Sequence, residues 1–70
     1  MKTTQVLKKI RRAAKRAGVT YEEFERTNHL GIKVGNVKTT IGRHNETADL
    51  AAESLYKQLE PALGKGWWRR

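Results

Sequence analysis

Val6, Leu7, Ile10, Ala13, Ala14 and Ala17 recur at helical spacing, and at about 100° per residue they gather into one stripe on a helix. The pattern predicts a helix from about Thr4 to Ala17, stopped by Gly18. The next stretch, VTYEEFERT, reads two ways. Thr20 with Glu23 fits a capping box, whereas Val, Tyr, Phe and Thr favour a strand, and we read a strand. Beyond it Leu30, Ile32 and Val34 alternate with His29, Gly31 and Lys33. Gly35-Asn36 follows, and then Val37, Thr39 and Ile41 alternate with Lys38, Thr40 and Gly42. Such alternation about a two-residue turn is a hairpin pattern. It pairs Val34 with Val37, Ile32 with Thr39, Leu30 with Ile41, Lys33 with Lys38 and His29 with Gly42. Leu50, Ala52, Leu55, Tyr56, Leu59 and Leu63 then mark a second amphipathic helix, with Asp49 or Thr47 as N-cap. Pro61 ends its regular part near Glu60.

The expected fold is α+β, in the order helix-strand-strand-strand-helix. Two helices lie on one face of a three-stranded antiparallel sheet, against Leu30, Ile32, Val34, Val37 and Ile41. Residues 1–64 form a single domain, and residues 65–70 a basic aromatic tail that reads as loose. A 70-residue chain buries only about 60% of the surface its unfolded form exposes, which leaves no room for a deep cofactor pocket.

Charge changes this picture because it is unevenly placed. Residues 1–18 carry +7 with no acid, residues 19–64 carry −2, and residues 65–70 carry +3. On the first helix Lys8, Lys9, Arg11, Arg12, Lys15 and Arg16 fall opposite the apolar stripe. An ordinary solvated face normally mixes signs, so a face of one sign points to a polyanion. A membrane-surface helix wants Trp, Phe or Leu on its apolar side, and half of this stripe is alanine, so nucleic acid is favoured over membrane. Cysteine is absent, no apolar run reaches the length of a membrane span, and the charged start lacks the apolar segment of a signal peptide. A cytoplasmic protein is expected.

The candidate chemistry lies in TNHLGIKVGNVKTTIGRH, which holds both histidines and no acid. Lys33 opposite Lys38 places like charges about 5 Å apart on the open face, where either a phosphate neutralises them or both ammonium groups splay into solvent. His29 begins that face. Histidine both takes and gives protons near neutral pH, so it is a candidate acid-base group for cleaving RNA through the 2′-hydroxyl, or else a structural or phosphate-contacting residue. If the strand continues past Gly42, His44 stands diagonal to His29 at about 7 Å. Arg43 has the opposite parity unless the chain turns there. No carboxylate joins the two histidines in this stretch, so neither metal nor cofactor is expected. Trp67-Trp68-Arg69-Arg70 suits an interfacial anchor or RNA stacking equally well, and a tail that is disordered or packed on the domain is favoured over either.

Taken together, Thr27-Asn28-His29, the hairpin, Thr40-Ile41-Gly42-Arg43-His44 and the helix from Leu50 to Lys57-Gln58-Leu59 resemble the HicA toxins of bacterial or phage toxin-antitoxin systems. These are small mRNA interferases with a fold similar to double-stranded-RNA-binding domains. The resemblance covers roughly residues 4 to 64. The family's Gly-Ser-His triplet, whose histidine is catalytic, maps onto Thr27, Asn28 and His29. Its Val-Pro-x-His segment maps onto Ile41, Gly42, Arg43 and His44, and its Leu-Lys-Gln ending onto Tyr56, Lys57 and Gln58. Thr27, Asn28 and Gly42 depart from the family's Gly, Ser and Pro. The resemblance implies an endoribonuclease acting on single-stranded mRNA without metal, with His29 as its one catalytic histidine; His44 and Asn28 are the candidates for a second acid-base or supporting residue. It also implies a HicB-type antitoxin as partner. Lys8, Arg12, Lys15, Arg16, Lys33, Lys38 and Arg43 are the candidate phosphate contacts. The alternative of a different class is a module of the same fold that holds RNA or DNA without cutting it.

Overall fold

The first helix, α1, spans Thr3–Ala17 and turns Val6, Ile10 and Ala14 fully inward, with Leu7 and Ala13 half-buried beside them. Ala17, the last residue of the predicted stripe, is exposed, because the chain is already leaving the core there. Gly18 adopts φ 72°, its N–H bonds the carbonyl of Lys15, and the Val19 N–H bonds that of Ala14, the double bond of a Schellman stop. A computed structural model describes residues 2–27, 29–42 and 46–69, and at Arg26 the backbone alone.

Strands β1 (Tyr21–Arg26), β2 (His29–Val34) and β3 (Val37–Gly42) form one antiparallel sheet in that order. All five predicted hairpin pairs occur, from Val34 with Val37 to His29 with Gly42. Gly35 has φ 57° and Asn36 does not have positive φ, the combination a type II′ turn needs, and a Cβ at Gly35 would meet nothing closer than 3.6 Å. Backbone conformation, not space, selects glycine there. VTYEEFERT is a strand, not the start of a helix. It pairs Tyr21 with Val34, Glu22 with Lys33 and Arg26 with His29.

Helix α2 spans Asp49–Gln58 and packs Ala52, Leu55 and Tyr56 into the same cluster as Ile32, Val34 and Ile41, so both helices cover one face of the sheet. Leu30 and Val37 are half-buried against it. The expected caps are corrected. Ala48 holds the N-cap position, Asp49 lies in the first turn where its charge meets the positive end of the helix, and the Thr47 hydroxyl is engaged with that of Thr3 at 2.7 Å. Leu50, placed on the apolar stripe by its spacing, is 82% exposed, because this first turn projects beyond the residues that bury the rest of the stripe. A short helix α3 (Glu60–Leu63) follows, with Pro61 in its first turn, where a missing N–H costs nothing.

The tail is not loose. Gly64 (φ 99°) and Gly66 (φ 67°) turn the chain back, and the Gly66 N–H bonds the Glu60 carboxylate at 2.8 Å. Residues Trp67–Arg69 then form a 3-10 turn. Trp67 is only 7% exposed; its indole N–H donates to the Tyr56 carbonyl at 2.9 Å and its ring meets Tyr56 edge-on at 5.1 Å. The alanines of α1 leave volume beside the helix, and this ring joins the core there.

Candidate nucleic-acid interface

Because cross-strand partners share a face, the register sorts the side of the sheet away from the helices into three rows. His29 and Gly42 form one end; Phe24, Gly31 and Thr40 the middle; Glu22, Lys33 and Lys38 the other end. His29 stands exposed at the head of β2. In the middle row the Phe24 ring lies over Gly31 so closely that an added Cβ would collide with it, which places an aromatic edge between the two polar ends. No described residue other than glycine has positive φ, so Thr27 enters β2 without left-handed backbone.

Lys33 lies four residues from His29 along β2, about 13 Å, so the lysines and the imidazole occupy opposite ends of the face. The pair is also not acid-free, since Glu22 of β1 stands directly opposite Lys33. Its carboxylate offsets part of the Lys33–Lys38 repulsion without either an outside anion or splayed ammonium groups. The stretch between Thr27 and His44 lacks acids in sequence, but the neighbouring strand supplies one.

The side of the molecule formed by α1 is different. All six of its basic residues are exposed, and Lys8 with Arg12, Arg11 with Lys15, and Arg12 with Arg16 are like-charged pairs four residues apart. Each such pair costs about 0.2–0.5 kcal/mol on a helix, a repulsion that a bound polyanion relieves. The helix divides them. Lys8, Lys9, Arg12 and Arg16 line a groove of about 490 Å3 with Gln5, Ala13 and Trp67, and among the described residues no carboxylate lines it. Arg11 instead lies near Tyr21, on the β1 side. Lys15 is exposed and does not line the groove. At the edge of the groove the Lys9 ammonium sits 5.4 Å from the centre of the Tyr56 ring. Trp68 packs against Tyr56 at 6.0 Å and edge-on to Trp67 at 5.9 Å, and the Arg69 guanidinium rests 5.4 Å from the Trp68 ring centre.

Of the candidates read from sequence, Lys8, Arg12 and Arg16 converge, Lys15 stands apart, and His29, Lys33 and Lys38 share a face but not a cluster. Asn28, Arg43 and His44 lie outside the described residues. Phe24 was not singled out, Lys9 was read as part of the basic face but not as a phosphate contact, and Trp67 was read only as part of the aromatic tail. The signal for Trp67 was the alanine-rich stripe of α1, which needs a bulky partner; Phe24 required the register of β1, which no turn motif specified.

Burial raises the Tyr56 phenol above its ordinary value of 10.0, so the ring under Lys9 stays neutral. Burial raises Tyr21 as well, helped by its hydrogen bond to Glu23 at 2.6 Å. Among the described residues, no group of three or more His, Asp or Glu side chains comes together as a metal site, and no helix is long and apolar enough to cross a membrane. No family model matches the chain, and no curated protein and no solved structure matches it significantly.

Proposed function

We propose that this chain is a HicA-type endoribonuclease that cuts single-stranded RNA without a metal ion or cofactor. The observation that carries the reading is His29, exposed at one end of the sheet face that the helices leave open. A strand of RNA lying on that face presents a 2′-hydroxyl to the imidazole. His29 takes its proton, the oxygen attacks the adjacent phosphorus, and the 5′-oxygen leaves with a proton returned by an acid. The products are a 2′,3′-cyclic phosphate and a free 5′-hydroxyl. Lys33 and Lys38, further along the face, meet a neighbouring phosphate, while the cations of α1 supply sequence-independent affinity. His44, at the family's second histidine position, and Asn28, where the family has Ser, serve as supporting residues, and Arg43 meets a phosphate. A HicB-type antitoxin would restrain the enzyme in the cytoplasm, where mRNA is found.

A second reading, a module that holds nucleic acid without cutting, is favoured by one observation: among the described residues four cations line one groove on α1, whereas Lys33 and Lys38 lie at the far end of the sheet face from His29. Purified protein incubated with single-stranded RNA and a chelator distinguishes the two. Cutting into cyclic-phosphate ends that is lost in His29→Ala supports the nuclease. Binding without any cutting by the parent chain leaves the module.

A further inference from the structure

The groove on α1 has two properties that a simple solvated face lacks: among the described residues every charged side chain that lines it is a cation, and an aromatic ring from the far end of the chain closes one side of it. Lys8, Lys9, Arg12 and Arg16 face it, and Trp67 forms part of its wall. Trp67 is held by its buried hydrogen bond to Tyr56, so the aromatic side is fixed. Trp68, by contrast, is half-exposed, and what rests on its ring is Arg69, whose side chain is 69% exposed and also reaches Glu53 at 3.6 Å. An exposed guanidinium so weakly held is readily displaced.

We propose that this groove, together with the Trp68 ring that packs beside its Trp67 wall, is a second site for single-stranded RNA, separate from the His29 face: phosphates lie in the groove on Lys8, Arg12 and Arg16, and a base stacks on Trp68 next to it. The proposal rests on RNA being the partner but not on the chain cutting it. Phosphates need fixed positive charge, and bases need a flat ring; single-strand sites combine the two. A duplex satisfies only the first requirement, since its bases are already stacked. An anionic lipid surface would also meet the cations, but it favours an apolar helix face, and the apolar face of α1 is buried against the sheet. Arg69, displaced from the ring, becomes free to meet a phosphate.

Trp67 and Trp68 are the chain's only tryptophans, so its intrinsic emission reports on this groove directly. Titrating the full chain with an oligouridylate should quench that emission saturably, and His29→Ala should be quenched with the same affinity. Trp68→Ala should weaken binding about tenfold, measured by anisotropy of labelled RNA. Replacing Lys8, Arg12 and Arg16 together by Gln should lower the salt slope by about two log-log units, at roughly 0.7 for each lost contact, whereas Arg11→Gln with Lys15→Gln should leave it nearly unchanged. Inorganic polyphosphate should bind more weakly than the oligonucleotide and leave the emission unquenched. RNA binding with no change in emission overturns the proposal, as does an equal loss from the Arg11 and Lys15 substitutions. A response to phosphatidylglycerol vesicles but not to RNA overturns it in favour of a membrane surface. A parent chain that never cuts RNA but shows the quenching would remove the nuclease reading and leave this site standing.

Discussion

The two sides of the molecule differ in how they combine charge with reactive groups. Among the described residues the open sheet face holds His29, an aromatic ring and two lysines, spread over three rows and accompanied by Glu22 opposite Lys33. The α1 side, among the same residues, holds four cations around one groove with no lining carboxylate and no histidine, and aromatic rings beside them. A face that must release a product cannot grip it strongly, and a face that must grip needs no acid-base group. On this view the sheet face performs chemistry and the helix side supplies affinity.

The sharpest way to break that division is to mutate one side and measure both properties. His29→Ala should reduce the cutting rate by about 10² to 10⁴ while leaving RNA affinity within about twofold. A comparable loss of affinity would mean that His29 is a binding residue and that the division fails. Trp67→Ala belongs to neither side alone. Removing its buried ring should cost about 3–5 kcal/mol of stability, visible as a lower urea midpoint, whereas Leu50→Ala at its 82% exposed position should stay within about 0.5 kcal/mol. A Trp67→Ala chain as stable as the parent would mean that the tail does not join the core.

Smaller effects sharpen the comparison within the helix. Arg12→Gln should weaken RNA binding several-fold, and Lys15→Gln by less than about twofold, because only Arg12 lines the groove. Equal losses in a salt-dependent binding assay would show that α1 acts as a uniform charged rod. The least effect concerns Tyr21, between Arg11 and Glu23 where the helix side meets β1. Its folded-state value is raised, so the neutral phenol is favoured by folding. That contribution is complete below the ordinary value of 10.0 and is lost as the pH climbs above it. Urea midpoints should therefore fall more steeply above pH 10 in the parent than in Tyr21→Phe; identical curves would remove Tyr21 from the alkaline transition.

Much of the fold was legible because the hairpin states its own register. A glycine-first two-residue turn and strict alternation on both sides permit only one pairing that keeps Ile32, Val34 and Ile41 together. The helix α1 was equally plain, its apolar stripe and its cations being separated by half a turn. What failed to show were relations between distant segments. Gly64, Lys65 and Gly66 have loop composition, and two adjacent tryptophans carry no periodicity, so nothing local revealed that Trp67 returns to α1. Glu22 was visible as a residue but not as the partner of Lys33, because β1 is joined to β2 without a recognisable tight turn. The spacing of Leu50 marked a stripe without marking where the covering surface ends. The candidate site was legible to the same degree: His29 and its face came from alternation, while the groove is assembled from opposite ends of the chain.

The measurement that bears most directly on the nuclease reading uses two oligoribonucleotides that differ by one atom. In the second, the 2′-hydroxyl at the nucleotide preceding the cut is replaced by hydrogen, and both are incubated with the full chain and a chelator. The account predicts that the first is cut to a 2′,3′-cyclic phosphate and the second stays intact at that position while binding with the same affinity. Cutting of the deoxy-substituted oligonucleotide at the same position, or cutting of the first that stops when the chelator is added, would contradict it.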